Sequence, residues 1–207
     1  MRAPIMKAIR CGLAIAIVAV ASAMVLVHRY NTIHCDGPDS SIYHIVSSRR
    51  LLASGDLGDA LAAARRAVEI DPGNVDAHLC LGDALAAMKV WPDALASFRE
   101  AARLRPNSFQ SHRGAAHALS ALDDTPGAER ELRECVRLAP DDAASHANLA
   151  SNLALQKRFA EAIAEMKRAD ELASQRTDWK YPTKDWIAEF ERELLEHGDA
   201  PETPPER

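Results

Sequence analysis

Residues 75–108 read VDAHLCLGDALAAMKVWPDALASFREAARLRPNS, and two amphipathic helical patterns meet inside them at a short break. The first places His78, Leu81, Gly82 and Leu85 three and four apart, which keeps them on one helical face. The second opens at Pro92, a residue suited to a first helical position, and buries Ala94, Leu95, Phe98 and Ala101 before Pro106 ends the unit. Small residues at 82 and 94 let the two helices approach closely, and a leucine at 94 would overpack the crossing.

A step of 34 residues returns the same kind of residue along most of the chain. Proline stands at 72, 106 and 140, and alanine at 60, 94, 128 and 162. Leu51, Leu85, Leu119 and Leu153 keep the register, as do Ala67, Ala101, Cys135 and Ala169. Four copies therefore run over 41–74, 75–108, 109–142 and 143–176. In the third, Thr125 is expected to cap the second helix and Pro126 to open it. Past the copies, Thr183 to His197 puts Trp186, Ile187, Phe190 and Leu194 on one face, with Pro182 before it and Gly198 after it. Residues 177–198 thus read as a capping segment over the last copy's apolar edge, and 199–207, with Pro201, Pro204 and Pro205, as a disordered tail.

This pattern resembles the tetratricopeptide repeat (TPR) family, a 34-residue helix-turn-helix repeat, over residues 41–176. Small residues at Gly82, Ala116 and Ala150, the four alanines and the three unit-ending prolines carry the likeness. Ser47 and Ser48 in the first copy and Ser174 in the last depart from it, so the terminal copies are the degenerate ones, as solenoid ends tend to be. The resemblance implies an all-α, right-handed α-solenoid of four units plus a cap, and a concave groove lined by the first helix of each unit. It further implies a protein-binding scaffold rather than an enzyme.

The N-terminus reads as an address. Residues 11–27, CGLAIAIVAVASAMVLV, carry no charge, and as a helix would be about 25 Å long against a hydrocarbon core of roughly 30 Å. Arg2, Lys7 and Arg10 precede the run and Arg29 follows it, an asymmetry that keeps the N-terminus cytoplasmic and sends the repeats outward. An uncleaved signal-anchor is the leading reading, because Met24 to Val27 continue the run past Ala21-Ser22-Ala23; cleavage near Ala23 to a secreted periplasmic form is the alternative. Residues 28–40 form the linker. The layout is similar to anchored or secreted bacterial TPR proteins.

Composition narrows the classes. Residues 30–207 hold 21 Lys+Arg against 30 Asp+Glu, a net of −9, which argues against nucleic acid as partner. No phosphate-binding loop, zinc-protease helix or nucleophile elbow is present, so no catalytic residue, metal or cofactor is assigned. His44, His78, His112 and His146 share one repeat position, spaced along packed helices, and read as flat packing groups rather than metal ligands. Cys135, whose counterparts are alanines, reads as a small buried thiol, whereas the counterparts of Cys80 (Val46, Gly114 and Asn148) leave its reading open; no disulfide framework follows from them and Cys35.

Groove candidates follow from the face that inward packing leaves unused. They are Ile45, Arg49 and Leu52 in the first copy, Leu79 and Asp83 in the second, Gln110, Arg113, His117 and Ser120 in the third, and Asn148, Ser151 and Leu155 in the fourth. The clamp by which some family members hold acidic chain termini needs Lys, Arg and Asn where Ile45, Cys80 and Gly114 stand, so a C-terminal carboxylate ligand is disfavoured. The expected function is an adaptor binding a segment of an envelope protein, as an assembly or maturation factor. The alternative is a self-associating structural protein whose groove or solenoid end packs on another copy.

Overall fold

A computed structural model describes residues 39–174 and 181–199. Among them are nine helices and no strand: α1 (Ser41–Ser54), α2 (Leu57–Ile70), α3 (Val75–Ala87), α4 (Trp91–Leu104), α5 (Phe109–Ala121), α6 (Thr125–Leu138), α7 (Ala143–Leu155), α8 (Phe159–Ala173) and α9 (Thr183–His197). Each packs on its neighbour in sequence, and α1 on α3 and α3 on α5 also touch, which makes an α-solenoid of four helical pairs closed by α9. The apolar run 11–27, most of the linker, Cys35 and the tail beyond Asp199 lie outside the described residues.

Local chemistry sets the helix starts. Before α1, α3, α5 and α7 the side chains of Ser40, Asn74, Ser108 and Asp142 accept from backbone amides of the first turn. Before α6 the capping group is Asp124, whose carboxylate accepts from the Gly127 amide at 2.9 Å; Thr125, expected as the cap, is instead the first helical residue. The carboxylate comes so close that a Cβ on Gly127 would lie 2.3 Å from Asp124 Oδ2, so a larger residue there would push the capping carboxylate aside. In α4 the helix starts at Trp91, one residue ahead of Pro92.

Each break between paired helices has one geometry. The carbonyls of Leu51, Leu85, Leu119 and Leu153 accept from the amides of Asp56, Val90, Asp124 and Arg158, five residues on. That closure needs a left-handed residue, supplied by Gly55 (φ 86°), Lys89 (60°), Asp123 (59°) and Lys157 (60°). A side chain there costs about 1–2 kcal/mol, of which glycine's extra freedom in the unfolded chain offsets about half. Lys89→Gly, Asp123→Gly and Lys157→Gly are each expected to stabilise by roughly 0.5–1 kcal/mol, read as a higher urea midpoint. A fall in midpoint for all three would refute this account of the breaks.

The core follows the 34-residue register. Ala60, Ala94, Ala128 and Ala162 are fully buried, as the close helix crossings demand. Phe98 fills the space between units two and three, its ring wedged between Gly82 on α3 and Gly114 on α5. In the first pair the buried hydroxyls of Ser41 and Ser48 donate across to the carbonyls of Ala67 and Ala60 on α2. At the far end α9 lays Trp186, Ile187 and Phe190 over Ala147, Ala150, Met166 and Ala169. Thr183 donates to Asp170, Lys167 pairs with Glu191 at 3.0 Å, and Asp199 accepts from the Ala160 amide at the start of α8.

Candidate functional site

The first helices of the pairs, α1, α3, α5 and α7, line a concavity of about 1040 Å³. Its wall includes Arg49 from α1, Leu79 and Asp83 from α3, Gln110, Arg113, His117 and Ser120 from α5, and Asn148, Ser151 and Leu155 from α7. Ile45 and Leu52 do not belong to it. Ile45 is buried with Ala64, Ala77 and Cys80, and Leu52 packs half-buried against the same cluster, because α1 turns that stripe toward α2 and α3. Asp76, Phe98, Arg105, Leu132 and Asn152 line the wall as well, though sequence reasoning passed over them. Asp76 was within reach, since it lies one repeat before Gln110.

Charge in the groove is mixed and ordered. Arg49 Nη2 pairs with Asp76 Oδ1 at 2.8 Å, bridging the first and second units. The Arg113 guanidinium stands 5.6 Å from the centroid of the Phe109 ring. Asp83 is open to the groove yet crowded by its walls; that desolvation pushes its carboxyl up from the usual range, and Arg113 and Arg49 only partly draw it back. Exposed His117 meets Trp91 edge-to-face at 5.1 Å between centroids. At the other end, Ser151 donates to the Ala147 carbonyl at 3.0 Å, and exposed Leu155 ends the lining. A surface with apolar side chains, two acids, three arginines and side-chain amides suits a peptide segment bearing both charged and apolar side chains.

Cys80 and Cys135, the two cysteines among the described residues, are not disposed as nucleophiles. Both are buried; burial holds the Cys135 thiol up at about 12 and raises Cys80, against which Arg49 pulls the other way. The positions an acidic-terminus clamp would use are filled by buried Ile45, buried Cys80 and Gly114 under the Phe98 ring.

The repeated histidines tie units together. Nε2 of His78, His112 and His146 lies 2.9, 2.8 and 3.0 Å from the carbonyl oxygens of Pro72, Pro106 and Pro140, six residues back in each case. Since a carbonyl only accepts, the ring donates there. His112 and His146 also meet Glu131 and Glu165 through Nδ1, at 2.6 and 2.7 Å. For His112 burial alone would lower the pKa, but the Glu131 carboxylate and the Pro106 carbonyl outweigh it and raise it above the ordinary 6.5. Its contribution is therefore whole below 6.5 and is lost as the pH rises through the folded-state value. With solvent screening at this half-open site, the effect is on the order of 0.5 kcal/mol. Urea midpoints at acidic and alkaline pH should show wild type losing more stability than His112→Phe as pH rises; parallel losses would exclude the ion pair as the cause.

A family model described as tetratricopeptide repeat matches residues 47–109 and 113–177. Among solved structures, MamA residues 41 to the end from Desulfovibrio magneticus RS-1 is 20% identical, with 77% of this chain and 95% of that one covered and a TM-score of 0.62. YrrB, described as a TPR protein with an unusual peptide-binding site, is 18% identical, over 79% and 84%, with a TM-score of 0.63. TTC0263, a thermophilic TPR protein of Thermus thermophilus, is 19% identical, over 88% and 96%, with a TM-score of 0.60. At these identities the likeness is one of fold. No curated protein matches the sequence.

Proposed function

This chain belongs to the tetratricopeptide repeat family, and on that premise we propose that it is a membrane-anchored adaptor holding a segment of another envelope protein. The observation that carries the reading is the groove: four first helices present a continuous wall with Arg49, Asp83 and Arg113 spaced along it. The peptide-binding site attributed to YrrB, on a similar solenoid, supports a peptide occupant. The anchored reading draws its support from the uncharged run 11–27 and its flanking cations, an asymmetry that favours a periplasmic array, either tethered to the inner membrane or, after cleavage near Ala23, free. On this reading the protein works as a binding module.

A crosslinking pull-down from the native envelope tests this, comparing wild type with Arg49→Glu plus Arg113→Glu. Loss of one defined envelope protein with unchanged helicity is the expected result. An unchanged set of partners would remove the groove as the binding surface. Self-association, the second reading, predicts that the mass of the protein by light scattering rises with concentration, whereas the adaptor reading predicts a constant monomer mass.

A further inference from the structure

Among the described residues α1 is the first helix, and its leading face differs from that of the later units at several positions. At the position of Tyr43 the other units carry Ala77, Ser111 and Ser145, all buried against the unit before. At the position of Val46 the later units carry Cys80, with no exposure, half-buried Gly114 and exposed Asn148, whereas Val46 itself is 60% exposed. Ile42 and Tyr43 beside it are 48% and 43% exposed. A solenoid end that faces water is polar, because the unpaired stripe must be solvated. Here the face is mixed: Tyr43 is larger than its counterparts and Ile42 and Val46 beside it are exposed and apolar, whereas Ser47 stands where Leu81, Ala115 and Leu149 pack, and Arg50 where Ala84 and Ala118 are buried. Directly beyond it, Arg50 stands exposed, and α1 holds Arg49 and Arg50 with no acid. The opposite end has the reverse sign, since α9 carries two cations against five acids.

The geometry points to a lipid surface as the occupant of this face: Ile42, Tyr43 and Val46 enter the interface and Arg50 meets anionic headgroups. The inference rests on the anchor reading. Three half-exposed side chains offer on the order of 300 Å² of apolar surface, well short of the roughly 800 Å² per partner of a standard protein interface. A tethered surface needs far less, because the tether supplies the effective concentration. Residues 28–40 separate the apolar run from α1, and thirteen residues span at most about 45 Å, so α1 stays near the bilayer whenever the run is inserted. Tyrosine favours the headgroup level, and arginine gains from anionic lipid. The acidic cap then points away from the membrane, and the groove stands upright and open to a partner.

The test uses the full chain in vesicles of phosphatidylethanolamine with a minority of phosphatidylglycerol. A benzoylphenylalanine photocrosslinker replaces Val46 in one sample and Leu195, exposed on the cap, in another. Lipid labelling is expected to be roughly tenfold higher from position 46, and Arg50→Glu is expected to lower it about fivefold. Equal labelling from both positions, a crosslink from 46 into residues 11–27, or a crosslinked dimer would overturn the proposal. Alkaline carbonate extraction reads the anchor separately. A chain that washes off loses both the anchor and this docking, whereas a retained chain with equal labelling loses the docking alone.

Discussion

Phe98→Ala is expected to lower stability by about 4–5 kcal/mol, the upper part of the range for a buried phenylalanine. Phe98 is 2% exposed, and the residues flanking its ring are glycines, which have no side chain to move into the space it would vacate. The void would open where α4 meets both α3 and α5, so the second and third units would uncouple. In a quasi-one-dimensional stack that breaks the cooperativity of the whole array. Gly82→Ala alone is also expected to destabilise: an added Cβ would lie 2.6 Å from the ring, and the clash, about 1–3 kcal/mol, exceeds the gain of about 1 kcal/mol from helix propensity. In the Phe98→Ala background the clash is gone, so the same change should become stabilising. Urea denaturation of the four proteins in this cycle tests it; additive effects would show that the ring and glycine are not in contact.

The second large effect is expected from Glu129→Ala, at about 2–3 kcal/mol. Glu129 sits where the other units carry Leu61, Leu95 and Ile163, so a charge occupies a core position. It is tolerated because it accepts from Arg158 at 2.8 Å through both oxygens, from Gln156 at 2.8 Å and from Arg133 at 2.9 Å. Side-chain exposure is only 13% for Glu129 and 16% for Arg158. Burial alone would raise the Glu129 pKa, but these donors outweigh it and hold the carboxyl below the ordinary 4.5. A lowered folded value means that the stabilisation is present above 4.5 and is lost as pH falls through the folded pKa. Removing the carboxylate leaves Arg158 partly buried with Glu161 as its remaining partner, which costs less than orphaning a fully buried charge. Thermal melts should show the deficit at neutral pH and a smaller difference from wild type in acid. A deficit that persists unchanged in acid would assign the effect to packing.

The fold was legible because one physical demand recurs every 34 residues. Alanine at 60, 94, 128 and 162 and leucine at 51, 85, 119 and 153 serve the same crossing and the same break in each unit, and a periodic demand leaves a periodic sequence. Much of the groove was legible for a related reason, since a helix with one buried stripe leaves a second face. What escaped was non-periodic or depended on rotation. Ile45 was misplaced because the first helix has no unit before it to fix which stripe is covered. Glu129 and Arg158 lie 29 residues apart on different units, and neither has a counterpart in the other copies. The one signal of that pair was an acid at a core register. The histidines were read as packing groups, yet their bonds to Pro72, Pro106 and Pro140 depend on ring orientation, which spacing does not encode.

In the adaptor reading the concave wall holds a partner segment. A photocrosslinker at Ser120 or Ser151, both lining the groove, set against one at Arg99, exposed on the second helix of its unit, reads this directly in the native envelope. One shared adduct of defined mass is expected from the two groove positions and none from position 99. Adducts from Arg99 alone, or the same adducts from all three, would contradict it.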